Sequence, residues 1–351
     1  MRTQQLIAHT LFISDLLAMV SSRSLGLRGG NTRIIGGETT TVGQYPYAVS
    51  LSDGIGHFCG GSLIGRDIVL SAAHCQGSPY IHTYNVVIGR HDLDRDGGEV
   101  IPMKDEVPHP DYNAALTNND FMLVFLESPV SHDVEFVKLN SDSSNPGVDA
   151  PVTVMGWGDM DAADDVSTLS NVLLEVEVNV ISNEECEQSE GTIGGWEESY
   201  SGQITESMIC ARDSGEDSCQ GDSGGPLVLK GNGDASSDVQ VGVVSWGVGC
   251  AHQDFPGVYA RVSSAYDWIR EEVCTRSSYA PVEFDCDNLV IVPRPTRAPT
   301  VQSDTMWPTL SPTWSPTMSP TLATRAPSVQ SDTIWPTLSP TLSPTFSPTL
   351  N

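Results

Sequence analysis

Three short runs of this chain carry side chains that together could make a serine attack a carbonyl. Gly221-Asp222-Ser223-Gly224-Gly225-Pro226 sets a hydroxyl on a glycine-cushioned turn. A serine hydroxyl is a poor nucleophile at its own pKa, so it needs an adjacent base, and that base needs a third group to orient it. Leu70-Ser71-Ala72-Ala73-His74-Cys75 offers the imidazole, and Asn119-Asp120-Phe121-Met122-Leu123-Val124 offers a carboxylate that opens an apolar run. Each run alone has an ordinary explanation: a packed histidine, a turn acid, a plain loop. Their joint occurrence, in the order His, Asp, Ser, points to one site.

The elements that must position these residues are short strands. Tyr47-Ala48-Val49-Ser50-Leu51, Ile68-Val69-Leu70, Asn85-Val86-Val87-Ile88 and Gln240-Val241-Gly242-Val243-Val244 are alternating or apolar, and Gly, Asp and Pro separate them. This is an all-β pattern. Two helices are predicted as exceptions. Ser182-Asn183-Glu184-Glu185 has capping-box spacing, and residues 262–273 place Ala265, Trp268 and Ile269 on one face. The stretch 34–276 suits two small barrels forming one unit.

The order of the three motifs and their residues resemble the trypsin/chymotrypsin family of serine proteases over residues 34–276. The resemblance implies two six-stranded antiparallel β-barrels with a short C-terminal helix, the site lying in the cleft between them. It implies Ser223 as nucleophile, His74 as general base and then acid, and Asp120 as the group that holds the imidazole tautomer. The backbone amides of Gly221 and Ser223 would form the oxyanion hole. Asp217, six residues before Ser223, corresponds to the carboxylate at the floor of the specificity pocket in trypsin-like members. Ser218 adds a hydroxyl, and Gly247 and Gly257 correspond to side-chain-free walls. Ser245, also among the substrate-binding positions, resembles the serine that supports the buried aspartate. Such a pocket takes Arg or Lys, Arg with bidentate contact.

Further features follow from the same resemblance. Arg33-Ile34-Ile35-Gly36-Gly37 looks like a zymogen activation site. Cutting after Arg33 would free the Ile34 amine to pair with Asp222. Cys59 is expected to pair with Cys75, Cys186 with Cys210, and Cys219 with Cys250. Cys274 and Cys286 remain and are paired by elimination. Family members often bind calcium in a loop that here runs from Gly89 to Glu99. Arg90 stands at what looks like a ligand position, so no family-type calcium site is expected, although Asp96 and Glu99 offer weak ligands. No cofactor is expected. A monomer acting on proteins or peptides with accessible Arg or Lys, and open to protein inhibitors, is the resulting picture.

The chain has 17 Lys+Arg against 45 Asp+Glu, a formal net charge of -28. Such a field disfavours nucleic acid and attracts cationic substrates, less so as salt rises. The run Gly158-Asp159-Met160-Asp161-Ala162-Ala163-Asp164-Asp165 is especially acidic. Residues 1–22 have the layout of a secretory signal, Arg2 followed by an apolar run and then small residues. That run is too short to span a bilayer, and no transmembrane anchor is expected. An even count of 8 cysteines fits a disulfide-bonded extracellular chain. The division expected is signal 1–22, propeptide 23–33, protease domain 34–276, linker 277–295 and tail 296–351.

The tail is rich in Pro, Thr and Ser, and the segment from Thr296 to Pro308 recurs from Thr324 to Pro336. Fixed proline torsions and missing amide donors oppose helix and sheet, so an extended, disordered stalk is expected. It is a candidate tether to a cell wall or matrix. The alternative function is a non-catalytic adhesion or binding protein on a protease-like scaffold. The intact His74, Asp120 and Ser223 argue against it.

Overall fold

The computed structural model describes residues 37–77, 83–95, 97–159, 169–213, 221–250 and 252–290. The expected signal, propeptide and tail lie outside these residues, as do Asp96 and the acidic run from residue 160.

The strands form where β-branched and aliphatic residues alternate or cluster. After the short β1 (Glu38–Thr39), β2 (Ala48–Ser52), β3 (His57–Gly65), β4 (Ile68–Ser71), β5 (Asn85–Ile88), β6 (Glu99–Pro108) and β7 (Met122–Leu126) pair antiparallel in the order β2-β3-β4-β7-β6-β5 and close on themselves. β4 and β7 are buried along their whole length, as expected for strands whose two faces both meet core.

After β8 (Lys138–Leu139), a second ring is made by β9 (Pro151–Gly156), β10 (Leu174–Ile181), β13 (Met208–Arg212), β16 (Gly257–Arg261), β15 (Val239–Trp246) and β14 (Pro226–Leu229), with β14 returning to β9. β10 shows period 2 plainly: Leu174, Val176, Val178 and Val180 are buried, while Glu177 and Asn179 are exposed. The two six-stranded antiparallel barrels match the expected all-β class. Between β10 and β13 stand helix α1 (Asn183–Glu187) and an exposed hairpin of β11 (Glu190–Ile193) and β12 (Trp196–Ser199).

The two barrels are stitched by their chain order. β1 precedes the first barrel in sequence yet pairs with β10 of the second. Buried hydrogen bonds cross from Tyr47 to Asp238 at 2.7 Å and from Ser62 to Gln240 at 2.6 Å. Unpaired, such polar groups would each cost a few kcal/mol in an apolar interior. Paired, they fix the mutual position of the barrels.

Helix α1 begins at Ser182, whose hydroxyl accepts the Glu185 amide at 3.0 Å. Helix α2 (Val262–Arg276) buries Val262, Ala265, Trp268, Ile269 and Val273 against the core of the first barrel. Beyond it, in the stretch expected to begin a linker, the chain folds back. Ser277 bonds Asp67 at 2.6 Å, Phe284 is buried, and Cys274 is bonded to Cys286. Among the described residues no helix is long and apolar enough to cross a membrane.

Candidate active site

His74 lies in a single 3-10 turn, Ala73–Cys75, directly after β4, and Asp120 directly precedes β7. β4 and β7 are paired with Ser71 opposite Met122. The register therefore delivers both residues to the same end of the first barrel. Asp120 is fully buried, and its carboxylate takes three hydrogen bonds. The His74 amide donates to Oδ1 at 2.9 Å, His74 Nδ1 donates to Oδ2 at 2.7 Å, and the Ser245 hydroxyl donates to Oδ2 at 2.6 Å. With Nδ1 carrying its hydrogen toward the carboxylate, Nε2 is left as the basic nitrogen of the neutral ring. Ser245 belongs to the second barrel, so the carboxylate is held from both sides of the cleft.

The Ser223 turn is pressed against the first barrel. Its carbonyl accepts the Gly60 amide at 2.7 Å. Next to it, Gly224 has φ +80°, and a Cβ there would lie 2.3 Å from Ser71 Oγ and 2.6 Å from the Gly60 carbonyl. No other residue type fits this approach. The turn is thereby seated on residue 60 and on residue 71, which is three residues before His74. A disulfide between Cys59 and Cys75 ties the same β3 segment to the histidine turn.

Asp222 points the other way, into the protein. It is buried, and its Oδ1 accepts the Gly158 amide at 2.8 Å. A Cβ on Gly156 or Gly158 would come within 2.1 Å or 2.3 Å of this carboxylate. The Gly156-Trp157-Gly158 run is thus the space in which Asp222 sits.

Two groups behind the site carry no sequence signature. His57 donates from Nε2 to the Gly221 carbonyl at 2.9 Å, and its Nδ1 accepts the Ser50 hydroxyl at 2.7 Å. Burial drives the His57 imidazole below its ordinary pKa, opposed in part by the Gly221 bond, so the ring is a neutral strut under the turn that supplies the Gly221 and Ser223 amides. The Tyr200 hydroxyl donates to the Pro256 carbonyl at 3.1 Å and accepts the Val248 amide at 2.9 Å. It clamps the two segments that carry Gly247 and Gly257. Those glycines face each other: a Cβ on Gly247 would stand 4.0 Å from the Gly257 Cα. Arg33, Ile34, Asp217, Ser218 and Cys219 lie outside the described residues.

Cys186 is bonded to Cys210, a bridge that anchors α1 to β13. Among the described residues, the one cluster of metal-type donor atoms is Cys59, Cys75 and His74. Its sulfurs are bonded to each other and the Nδ1 of His74 is given to Asp120, so this donor set does not fit an ion. Glu99, one of the weak cation ligands considered, instead accepts the Ser131 amide at 3.0 Å and His132 Nδ1 at 2.9 Å. Arg90 donates to the Gly97 carbonyl at 2.9 Å in the same loop.

The Asp120 carboxylate and the His74 imidazole are locked together at one end of the first barrel, and the Ser223 turn, carried by the later half of the chain, is bonded to Gly60 of that same barrel. The family model for trypsin matches residues 34–269. The chain belongs to the trypsin family. It is 38% identical over 237 residues to trypsin alpha of Drosophila melanogaster, covering 68% of this chain and 86% of the fly protein. Trypsin 5G1 of Aedes aegypti is 40% identical over 250 residues, 68% of this chain and 84% of its own. Trypsin II-P29 of Gallus gallus is 38% identical over 253 residues, 69% and 89% respectively. This trypsin-family chain is a serine endopeptidase, a hydrolase whose substrates are proteins.

Proposed function

We propose that this protease is secreted as a zymogen and cuts after Arg or Lys, with Ser223, His74 and Asp120 as its catalytic groups. The observation that carries the residue roles is the triple grip on the Asp120 carboxylate, which leaves Nε2 of His74 as the proton acceptor. His74 takes the Ser223 proton as Oγ attacks the carbonyl, and the tetrahedral oxygen is received by the amides of Gly221 and Ser223. The imidazolium, steadied by Asp120, returns the proton to the leaving amine. Water then repeats the sequence on the acyl-enzyme. Each oxyanion donor is worth about 100- to 1000-fold in rate.

The Arg/Lys preference rests on Asp217 and Ser218, which the family resemblance assigns to the pocket floor, and on the facing glycines Gly247 and Gly257, whose lack of side chains leaves passage for a long cationic group. Its relatives' names, all trypsins, agree with it. The zymogen reading rests on Arg33-Ile34 and on the buried Asp222, to which the freed Ile34 amine would be paired. Losing one partner of a buried ion pair typically costs about 3 to 5 kcal/mol, enough to keep a precursor inactive. Arg33 fits the proposed specificity, so self-activation is part of the reading. The division into signal 1–22, propeptide 23–33, protease 34–276 and tail 296–351, the extracellular location and the monomeric state belong to the same proposal.

The test is cleavage of Arg, Lys and Phe peptide substrates by the precursor before and after a cut at Arg33, with Ser223→Ala as control. Turnover of the Arg and Lys peptides only after the cut, and none by the variant, is the expected result. Equal turnover before the cut would remove the zymogen reading, and a preference for Phe would remove the pocket reading.

A further inference from the structure

The β11–β12 hairpin lies against Gly249 through Ile193 and ends in a two-residue turn, Gly194-Gly195, with φ of +58° and +88°. Positive φ at both central residues is the geometry that tight hairpins favour. The register pairs Ile193 with Trp196, Thr192 with Glu197 and Gly191 with Glu198. Residues directly opposite share a face of a sheet, as do residues two apart on one strand. Gly191, Ile193, Trp196 and Glu198 therefore belong to one face. The opposite face is closed on itself by the bond from Thr192 Oγ1 to Glu197 at 2.9 Å.

The first face is the one applied to the protein. A Cβ on Gly191 would touch Asp254 and Phe255 at 3.2 Å, and Ile193 lies 3.5 Å from the Cβ position of Gly249. Ile193 also packs, with Trp246 and Val248, on the cluster containing Tyr200 and Phe255. Trp196 shares this face, yet it is 76% exposed. A tryptophan this exposed, paired with a residue that lies against Gly249, presents a large apolar surface to solvent. Glu198, two residues behind it, is exposed, and among the described residues no Lys, Arg or His forms an ion pair with it. Between Lys138 and Arg212 the chain has no lysine or arginine at all.

We propose that Trp196, with Glu198 behind it, is a specificity-determining position that receives a second basic side chain of the substrate. This rests on the reading of the pocket as an Arg/Lys site. An exposed indole face attracts an ammonium or guanidinium group, and the nearby carboxylate adds charge complementarity that an apolar side chain would not use. Ile193, which pairs with Trp196 across the hairpin, lies against the Cβ position of Gly249, two residues from Gly247. The preferred substrate thus has one basic residue in the pocket and another a few residues away.

The experiment uses the activated full chain and two sets of fluorogenic peptides, all with Arg in the pocket position. Lys, Gln or Leu is placed two, three or four residues to either side of that Arg. In the wild type, Lys is expected to exceed Gln in kcat/KM at one position by about three- to tenfold, chiefly through KM and less so at high salt. The Lys/Gln ratio falls toward one in Trp196→Ala, is restored in Trp196→Phe, and falls by about half in Glu198→Gln. No Lys preference in the wild type, a preference for Leu, or an undiminished ratio in Trp196→Ala overturns the proposal. Failure of the wild type to cleave any Arg peptide while cleaving Phe peptides would instead overturn the pocket reading, and this proposal with it.

Discussion

One oxygen of Asp120 accepts both the Nδ1 hydrogen of His74, at 2.7 Å, and the hydroxyl of Ser245, at 2.6 Å. Because the two donors come from different barrels, the imidazole's orientation depends on a residue remote from it in sequence. Asp120→Asn is expected to reduce kcat by about 10⁴-fold, since an amide permits the wrong tautomer. Ser245→Ala removes one bond to a charged acceptor, typically worth about 1.5 to 3 kcal/mol. Its expected effect is a kcat lower by roughly 10- to 100-fold with KM little changed, read on enzyme whose active sites have been titrated.

The space around Asp222 offers a sharper test of packing. Gly158→Ala sets a methyl group within 2.3 Å of the carboxylate and must displace it. Destabilisation by about 1 to 3 kcal/mol is expected from overpacking alone. Activity is expected to fall further than stability, because Asp222 adjoins Ser223, the proposed nucleophile. Thermal midpoint and kcat/KM measured on one preparation distinguish the two losses.

His57 gives the acid side of the stability profile a defined component. Its folded pKa lies below the ordinary value because burial disfavours the cation, so below about pH 6.5 the unfolded chain binds the proton first. The contribution of the neutral ring is complete above that pH and is lost as pH falls from it through the depressed folded value. Denaturant titrations of wild type and His57→Gln across pH 4 to 8 are expected to differ in slope in this window alone. Parallel curves would show that the ring is not held neutral.

The bridge between Cys274 and Cys286 closes a loop with a sequence separation of 12. Loop-closure entropy for this size corresponds to about 3 kcal/mol. Replacing both residues by Ser is expected to lower the denaturation midpoint by up to that amount. Phe284 and its neighbours would become a site of early proteolytic nicking, while kcat on small peptides stays near the wild-type value.

Much of this architecture could be read from the residues. Period 2 in β10 and the spacing of Ala265, Trp268 and Ile269 on α2 are consequences of burial on one face, and local pattern reports burial well. The apolar run at 240–244 lies inside a longer strand that reaches Trp246, because Trp246 finds a partner in Val258 across a bulge. A partner remote in sequence is invisible to pattern. The same limit hid His57 and Tyr200, ordinary residues whose work is done through the carbonyls of Gly221 and Pro256. The β11–β12 hairpin had a signal in Gly194-Gly195, but its flanks carry glutamates instead of an apolar run. The fold of residues 277–290 rests on one buried side chain, Phe284, a bridge, and hydrogen bonds to Asp67 and Arg270, none of which registers as a local pattern. The pocket floor and the activation site rest on sequence alone.

The hydrogen bond from the Gly60 amide to the Ser223 carbonyl belongs to a set, with Tyr47 to Asp238 and Ser62 to Gln240, in which the amino-terminal half grips the carboxy-terminal half. Under the proposed roles neither half contains a whole catalyst: a chain emerging from synthesis has its histidine and aspartate long before its serine, and cleavage is expected only once both halves have closed on each other.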